Sequence, residues 1–254
     1  MDKWIVYILL TVCLSGYGQA RGNVQGGSSK SDIAVRKVDT VKNTNIMRWQ
    51  KKYKVIKHFD INAFERNQKK WIYEFTDNNG MTVQQEKSYD DIDAKTGLYY
   101  IDSRSYPYSN YIHVCLYDGI GRIKGYNMTF YSIVVGKVYR YDINGQVVHE
   151  EDMDAPYKFS LEDLILKMKK EYGIDIEKGK NIRDINRFTT DRGSFYAISI
   201  ILDDSKCDIY LFNGDDGKIL FKTREESEWY PDMSDENVYD KYLRSIRSGN
   251  YGKW

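Results

Sequence analysis

Three short stretches of this chain share one design: Asp77-Asn78-Asn79-Gly80, Asp118-Gly119-Ile120-Gly121 and Asp142-Ile143-Asn144-Gly145. Each opens on aspartate and closes on glycine three residues later, and two of them directly follow a tyrosine. The carboxylate bonds the backbone of the turn it begins, and glycine supplies a positive φ at no steric cost. Such turns reverse the chain tightly, so the segments they join must run antiparallel. Those segments include Tyr53 to Phe59, Trp71 to Phe75 and Tyr111 to Tyr117, rich in β-branched and aromatic residues. Residues 46–155 are therefore expected to form a β-meander. Phe59-Asp60-Ile61-Asn62-Ala63 reads as a further, worn copy of the turn that lacks its glycine.

These Tyr-Asp-x-x-Gly turns resemble those of exported bacterial proteins built from hairpins, over roughly residues 55–150. The spacing is uneven, 24 residues from Asp118 to Asp142 but 17 from Asp60 to Asp77, so the turns do not mark a true repeat array.

The pattern changes after residue 155. Ser160-Leu161-Glu162-Asp163 has the form of a capping box, with aspartate where glutamate is commoner. Leu161, Leu164, Ile165, Met168 and Tyr172 then recur at helical spacing, and Gly173 supplies a stop. Strands are expected from Phe195 to Leu202 and Asp208 to Phe212, followed by an Asn213-to-Gly217 turn and Lys218 to Lys222. The order helix, strand, strand, turn, strand is similar to PepSY-type domains of exported bacterial proteins, over roughly 158–224; the likeness implies fold and no activity. A last helix is predicted over Asp235 to Arg247, with Ser234 as its cap. The expected fold is thus α+β: an antiparallel β-meander, then a helix packed on a second antiparallel sheet within residues 156–254, and a C-terminal helix. Whether the two sheets share one core stays open.

The start of the chain has the form of a cleavable signal. Lys3 is basic, Trp4 to Leu14 is an apolar stretch too short to span a bilayer, and Gly18-Gln19-Ala20 is a small-x-small cleavage site. Export to the periplasm or beyond is expected, with residues 21–45 as a Gly/Ser-rich spacer. A rival reading takes Leu10-Thr11-Val12-Cys13 as a lipidation box, but Val12 is bulky for that position. Cys115 and Cys207 would remain after cleavage. In an oxidising compartment they are a candidate disulfide, closing roughly ninety residues and contributing about 4 kcal/mol on the chain-entropy argument; two buried thiols are the alternative.

No constellation of catalytic residues emerges. The three histidines, His58, His113 and His149, form no i, i+4 pair, and no Cys-x-x-Cys occurs, so no metal site or cofactor is expected. His113 and Cys115 would share one strand face, yet no third residue orients the imidazole. Acidic pairs such as Asp90-Asp91 and Asp215-Asp216 read as solvated turns. The formal net charge of +1, with both signs interleaved, argues against a nucleic-acid or anionic-membrane binder. A mean hydropathy of −0.64 and the absence of a second long apolar run argue against transmembrane segments after signal cleavage.

What remains is aromatic. There are 23 tyrosines, crowded at Tyr99, Tyr100, Tyr106, Tyr108 and Tyr111 around Arg104. Tyrosine and arginine suit interfaces because they bury large areas and keep a polar handle, although tyrosine also suits half-buried sheets. The six residues are a candidate binding surface. The expected function is a non-catalytic binding protein of the bacterial envelope, such as an immunity-type inhibitor of a secreted toxin, with another protein as partner. A glycan or small ligand is the alternative occupant, and a carboxylate-based hydrolase the remaining class. Asn127-Met128-Thr129 would be a glycosylation acceptor in a eukaryotic source.

Overall fold

The computed structural model describes residues 53–89, 97–179, 181–226 and 238–249. The expected signal, Cys13, the spacer, the Trp229-Tyr230-Pro231 cluster and the Ser234 cap lie outside them. The described elements belong to one compact unit, Thr44–Trp254. It is α+β. A short helix α1 (Ile61–Asn67) precedes seven strands: β1 (Ile72–Thr76), β2 (Thr82–Tyr89), β3 (Leu98–Ser105), β4 (Tyr111–Asp118), β5 (Ile123–Phe130), β6 (Ile133–Tyr141) and β7 (Val147–Asp152). Helix α2 (Leu161–Glu171) follows, then β8 (Ile182–Thr190), β9 (Gly193–Asp203), β10 (Lys206–Asn213), β11 (Ile219–Glu226) and helix α3 (Val238–Arg247). Each strand of the first sheet pairs antiparallel with the next in sequence, a seven-stranded meander; β8 to β11 do the same in a four-stranded sheet.

All three Asp-x-x-Gly turns close in one way. The first oxygen of Asp77, Asp118 or Asp142 accepts from the amides two and four residues ahead at 2.8–3.2 Å. Gly80, Gly121 and Gly145 take φ of 74°, 82° and 72° and donate back to the aspartate carbonyl at 2.8–3.1 Å. The worn copy departs from this. With alanine where glycine would stand, the left-handed step is disfavoured, and Asp60 instead caps α1, its carboxylate accepting from Ala63 N at 2.9 Å. The expected Tyr53–Phe59 strand is likewise a strap: residues 53–60 run over one face of the meander, with a single β-bridge between His58 and Arg122.

That face carries two apolar clusters. In one, Phe59 and Phe64 from the strap and α1 pack on Tyr100, Tyr117, Ile123 and Tyr141. In the other, Tyr111, Met128, Phe130 and Val135 of the meander join Leu164 and Met168 of α2 and Ile185, Ile198 and Phe212 of the small sheet. The two sheets therefore share a core. Helix α2 forms as its sequence predicts: Ser160 Oγ accepts from Asp163 N at 3.1 Å, and Asp163 accepts from Ser160 N at 3.2 Å. The opposite face of the small sheet, with Phe195, Ala197 and Leu211, receives Val238, Tyr239 and Tyr242 of α3. No helix among the described residues is long and apolar enough to cross a membrane.

Candidate functional site

The aromatic stretch Tyr99 to Tyr111 does not form one surface. Alternate residues of β3 point to opposite faces, which separates Tyr99 from Tyr100. Tyr100 is buried against Phe59, and Tyr111 against Phe130 with ring centroids 4.7 Å apart. Tyr99 and Tyr106 are half-buried. Only Tyr108, at the tip of the β3–β4 connection with φ of 63°, is wholly exposed.

Arg104 is drawn inward. Its Nε and Nη2 donate to Asp102 at 2.5 and 3.0 Å, Gln85 donates to the same carboxylate at 2.7 Å, and Nη1 reaches Asp77 at 3.2 Å. Asp102 is 1% exposed, so the pair is a buried one, satisfied on both sides. Burial works against the Arg104 charge, but the bonds to Asp102 outweigh it and hold the guanidinium well above its ordinary range.

Cross-strand pairing sets His113 opposite Arg104 and Cys115 opposite Asp102 on the same face. Here lay the one nucleophile–base pairing the sequence offers. Nδ1 of His113 bonds the Tyr126 hydroxyl at 2.9 Å, and the Tyr53 ring lies flat on the imidazole at 4.1 Å. Burial pushes the Cys115 thiol up to about 12 and His113 down to about 4. A reactive cysteine needs the opposite shifts, towards thiolate and a protonated neighbour. This seam of polar groups between the two apolar clusters is structural.

The candidate disulfide is corrected by the same packing. Cys115 sits in the meander's strap-covered cluster, Cys207 on β10 opposite Ile201 and Glu225, and both are free and buried. Asn127, in the middle of β5, is 3% exposed and leaves no room for a glycan in this fold. Among the described residues no group of three or more His, Cys, Asp or Glu could hold a metal ion.

The surface that stands out is one that the sequence did not mark. In a meander, the end of β2, the β4–β5 and β6–β7 turns and the start of β1 share one end of the sheet. At this rim Trp71 and Ile72 open β1, Tyr89 ends β2, Ile120 and Ile143 project from the turns, and Val147 and Val148 open β7, all exposed. Ile56 of the strap joins them. The opposite end shows, among the described residues, one large exposed apolar residue of the meander, Tyr108. A solitary exposed isoleucine is ordinary, but a row along one rim is the mark of an interaction surface.

Trp71 is also held at a cost. Lys69 and Ile72 bond each other across a two-residue turn, at 2.7 and 3.1 Å, and both intervening residues are left-handed: Lys70 at φ 52° and Trp71 at φ 71°. Such turns favour Asn-Gly, and a bulky side chain there costs on the order of 1–3 kcal/mol. Gln68 steadies the turn by accepting from Trp71 N at 2.8 Å, and Tyr89 meets the indole edge-on at 5.7 Å. The indole stays 55% exposed. Strain that presents an aromatic ring to solvent does nothing for the core.

Between the β4–β5 and β6–β7 turns lies a groove of about 470 Å³, lined by Lys57, His58, Arg122, Ile143, Asn144 and Gln146 among others, with no carboxylate in its lining. Lys57 caps Gly145 O at 3.0 Å and sits 3.9 Å over the Tyr141 ring; Arg122 Nε bonds Asp118 at 2.8 Å. These contacts fix the two cations at the groove wall. An apolar residue inside a polar turn, as at Ile120 and Ile143, is the one sequence signal that points to the rim. No protein-family model, curated protein or solved structure matches this chain.

Proposed function

We propose that this chain is an exported, non-catalytic binding protein of the bacterial envelope that takes another protein on its rim, in the manner of an immunity-type inhibitor occupying a secreted toxin. One observation carries the reading. Apart from Tyr108, the large exposed apolar side chains among the described residues of the meander are gathered at one end, with Trp71 held there in a strained turn. Interfaces draw most of their energy from a few aromatic anchors ringed by polar groups, and Trp71 with Tyr89 has that form. The signal-like start of the chain supports export, and the buried, mutually satisfied seam supports binding over catalysis.

The test is affinity capture from envelope and secreted fractions with the native chain, Trp71→Ala and Ile143→Asp, beside Tyr108→Ala as a control. The reading expects one stoichiometric partner, lost about tenfold or more with the two rim variants and kept with the control. Co-expression should then reduce that partner's toxicity. Capture that is indifferent to the rim variants, or a partner whose potency is unaffected, overturns it.

The groove favours a second reading, an anionic small ligand. Lys57 and Arg122, with the His58 ring beside them and no carboxylate in the lining, suit a carboxylate or phosphate group. Calorimetric titration with citrate and with inorganic phosphate, each against Arg122→Gln, tests it.

A further inference from the structure

We infer that the outer edge of β7 is a strand-addition site for an extended, lysine- or arginine-bearing segment of a partner protein. Among the described residues β7 closes the meander and pairs with β6 alone, and all six of its residues, Val147–Asp152, are exposed. The other described edges differ from it. β1 also pairs with one strand, β2, but is shorter, half-buried at alternate residues and carries one charged side chain, Glu74. β8 meets the β5–β6 turn and the start of β6 through Ser132–Ile185 and Arg187–Val134 bonds, and β11 carries the Glu225–Lys241 pair to α3. In an antiparallel ladder half of an edge strand's N–H and C=O groups point outward, a ready template for another strand.

Charge decides which strand. Glu150, Glu151 and Asp152 follow one another, answered by Lys137 on Glu150 and by His149, which lies 3.5 Å from Glu151. A second copy laid parallel and in register would set the acidic runs side by side, where like charges across a ladder repel. An antiparallel copy would oppose them only to Val147, Val148 and His149, which answer no carboxylate as a lysine does. A segment with lysine or arginine at alternate positions completes the backbone ladder and sets its cations on one face of the edge, against Glu151 or against Glu150 and Asp152, while Val147 and Val148 offer it β-branched neighbours. The edge thus favours a basic strand over its own kind. This names the partner's chemistry at the β7 end of the proposed rim, but it stands on the ladder and not on Trp71.

The experiment uses the purified chain and three labelled decapeptides: alternating Lys and Val, the same peptide N-methylated at alternate amides, and alternating Glu and Val. Fluorescence anisotropy reads affinity at 0.15 M salt, and hydrogen exchange reads the edge. The Lys/Val peptide should bind about tenfold or more tightly than either other peptide, and lose about tenfold in a Glu150→Lys, Glu151→Lys variant. It should slow exchange at residues 147–152 of the native chain and bind Trp71→Ala undiminished. Equal binding of the N-methylated peptide means charge alone and overturns the inference, as does unslowed exchange at saturating peptide. That failure leaves a rim-dependent partner capture standing, so the two ideas fall separately.

Discussion

The seam and the rim belong to the same sheet, one within its strands and the other at their end, and each gathers aromatic and charged residues. In the seam, Asp102, Arg104, Gln85, His113 and Tyr126 bond one another, and Tyr53 is stacked over them. At the rim, Ile120, Ile143 and Trp71 face water, and the nearby cations are tied to turn carbonyls and carboxylates that leave a groove open. The residues that look most like chemistry are therefore buried against one another, and those that look like misplaced core residues are the ones left open to solvent. Residue type alone points the wrong way in both places. Whether polar groups are mutually satisfied, and whether apolar groups are left unsatisfied, separates them.

The sharpest way to break this contrast is at Arg104. Arg104→Met strands the Asp102 carboxylate in a buried site and should destabilise the fold by about 3–5 kcal/mol in urea unfolding. Pairing it with Asp102→Asn should recover part of that loss. A cost under about 1 kcal/mol, typical of exposed pairs, would mean the seam is not held by this ion pair.

Acid probes the same seam. His113 is depressed to about 4 in the folded chain, so between its ordinary 6.5 and 4 the unfolded chain binds the extra proton. Its contribution is intact above pH 6.5, declines as pH falls, and is lost by about pH 4, a change of about 3 kcal/mol. Unfolding free energies measured across that window should fall more steeply for the native chain than for His113→Asn. Parallel profiles would show that the imidazole titrates freely.

Two glycines sharpen the comparison within the turns. Gly121 and Gly80 have nearly the same φ, yet a Cβ at Gly121 would meet Phe59 O at 2.8 Å, while one at Gly80 meets nothing within 4 Å. Gly80→Ala should cost about 1 kcal/mol for conformation alone, and Gly121→Ala about 2–3 kcal/mol because the strap must also move. Equal costs would detach the strap from the turn. The smallest effect has the opposite sign: Lys70→Gly should stabilise by up to about 1 kcal/mol by relieving one left-handed residue. A loss there would show that the turn before Trp71 is not strained.

The elements legible in sequence are those decided locally. Asp118 and Gly121 build their turn from side chain and φ alone, and Ser160 with Asp163 caps α2 within four residues. Asp60 shows how thin the margin is: the same aspartate, without glycine three residues on, starts a helix. β8 was missed because Arg183, Asp184, Asn186 and Arg187 dilute its apolar residues, and what holds it is pairing with β9. The tyrosine cluster misled because neighbours along a strand are not neighbours on a surface. The rim is assembled from residues 56, 71, 89, 120, 143 and 147, and only the meander brings them to one end.

The strap has a consequence in time. Phe59 N bonds Gly121 O at 2.9 Å, Ile123 N bonds Lys57 O at 3.2 Å, and Lys57 reaches Gly145 across 88 residues of chain. Such contacts are slow to form, since a long loop must close before they reward it. Residues 53–59 leave the ribosome before the strands they cover, yet cannot dock until β4 to β7 exist. The lid of this core is thus the first of it to be made and the last to be fitted. Until Tyr53 settles on His113, the growing meander keeps its aromatic face open, in the interval when a chain is most prone to aggregate.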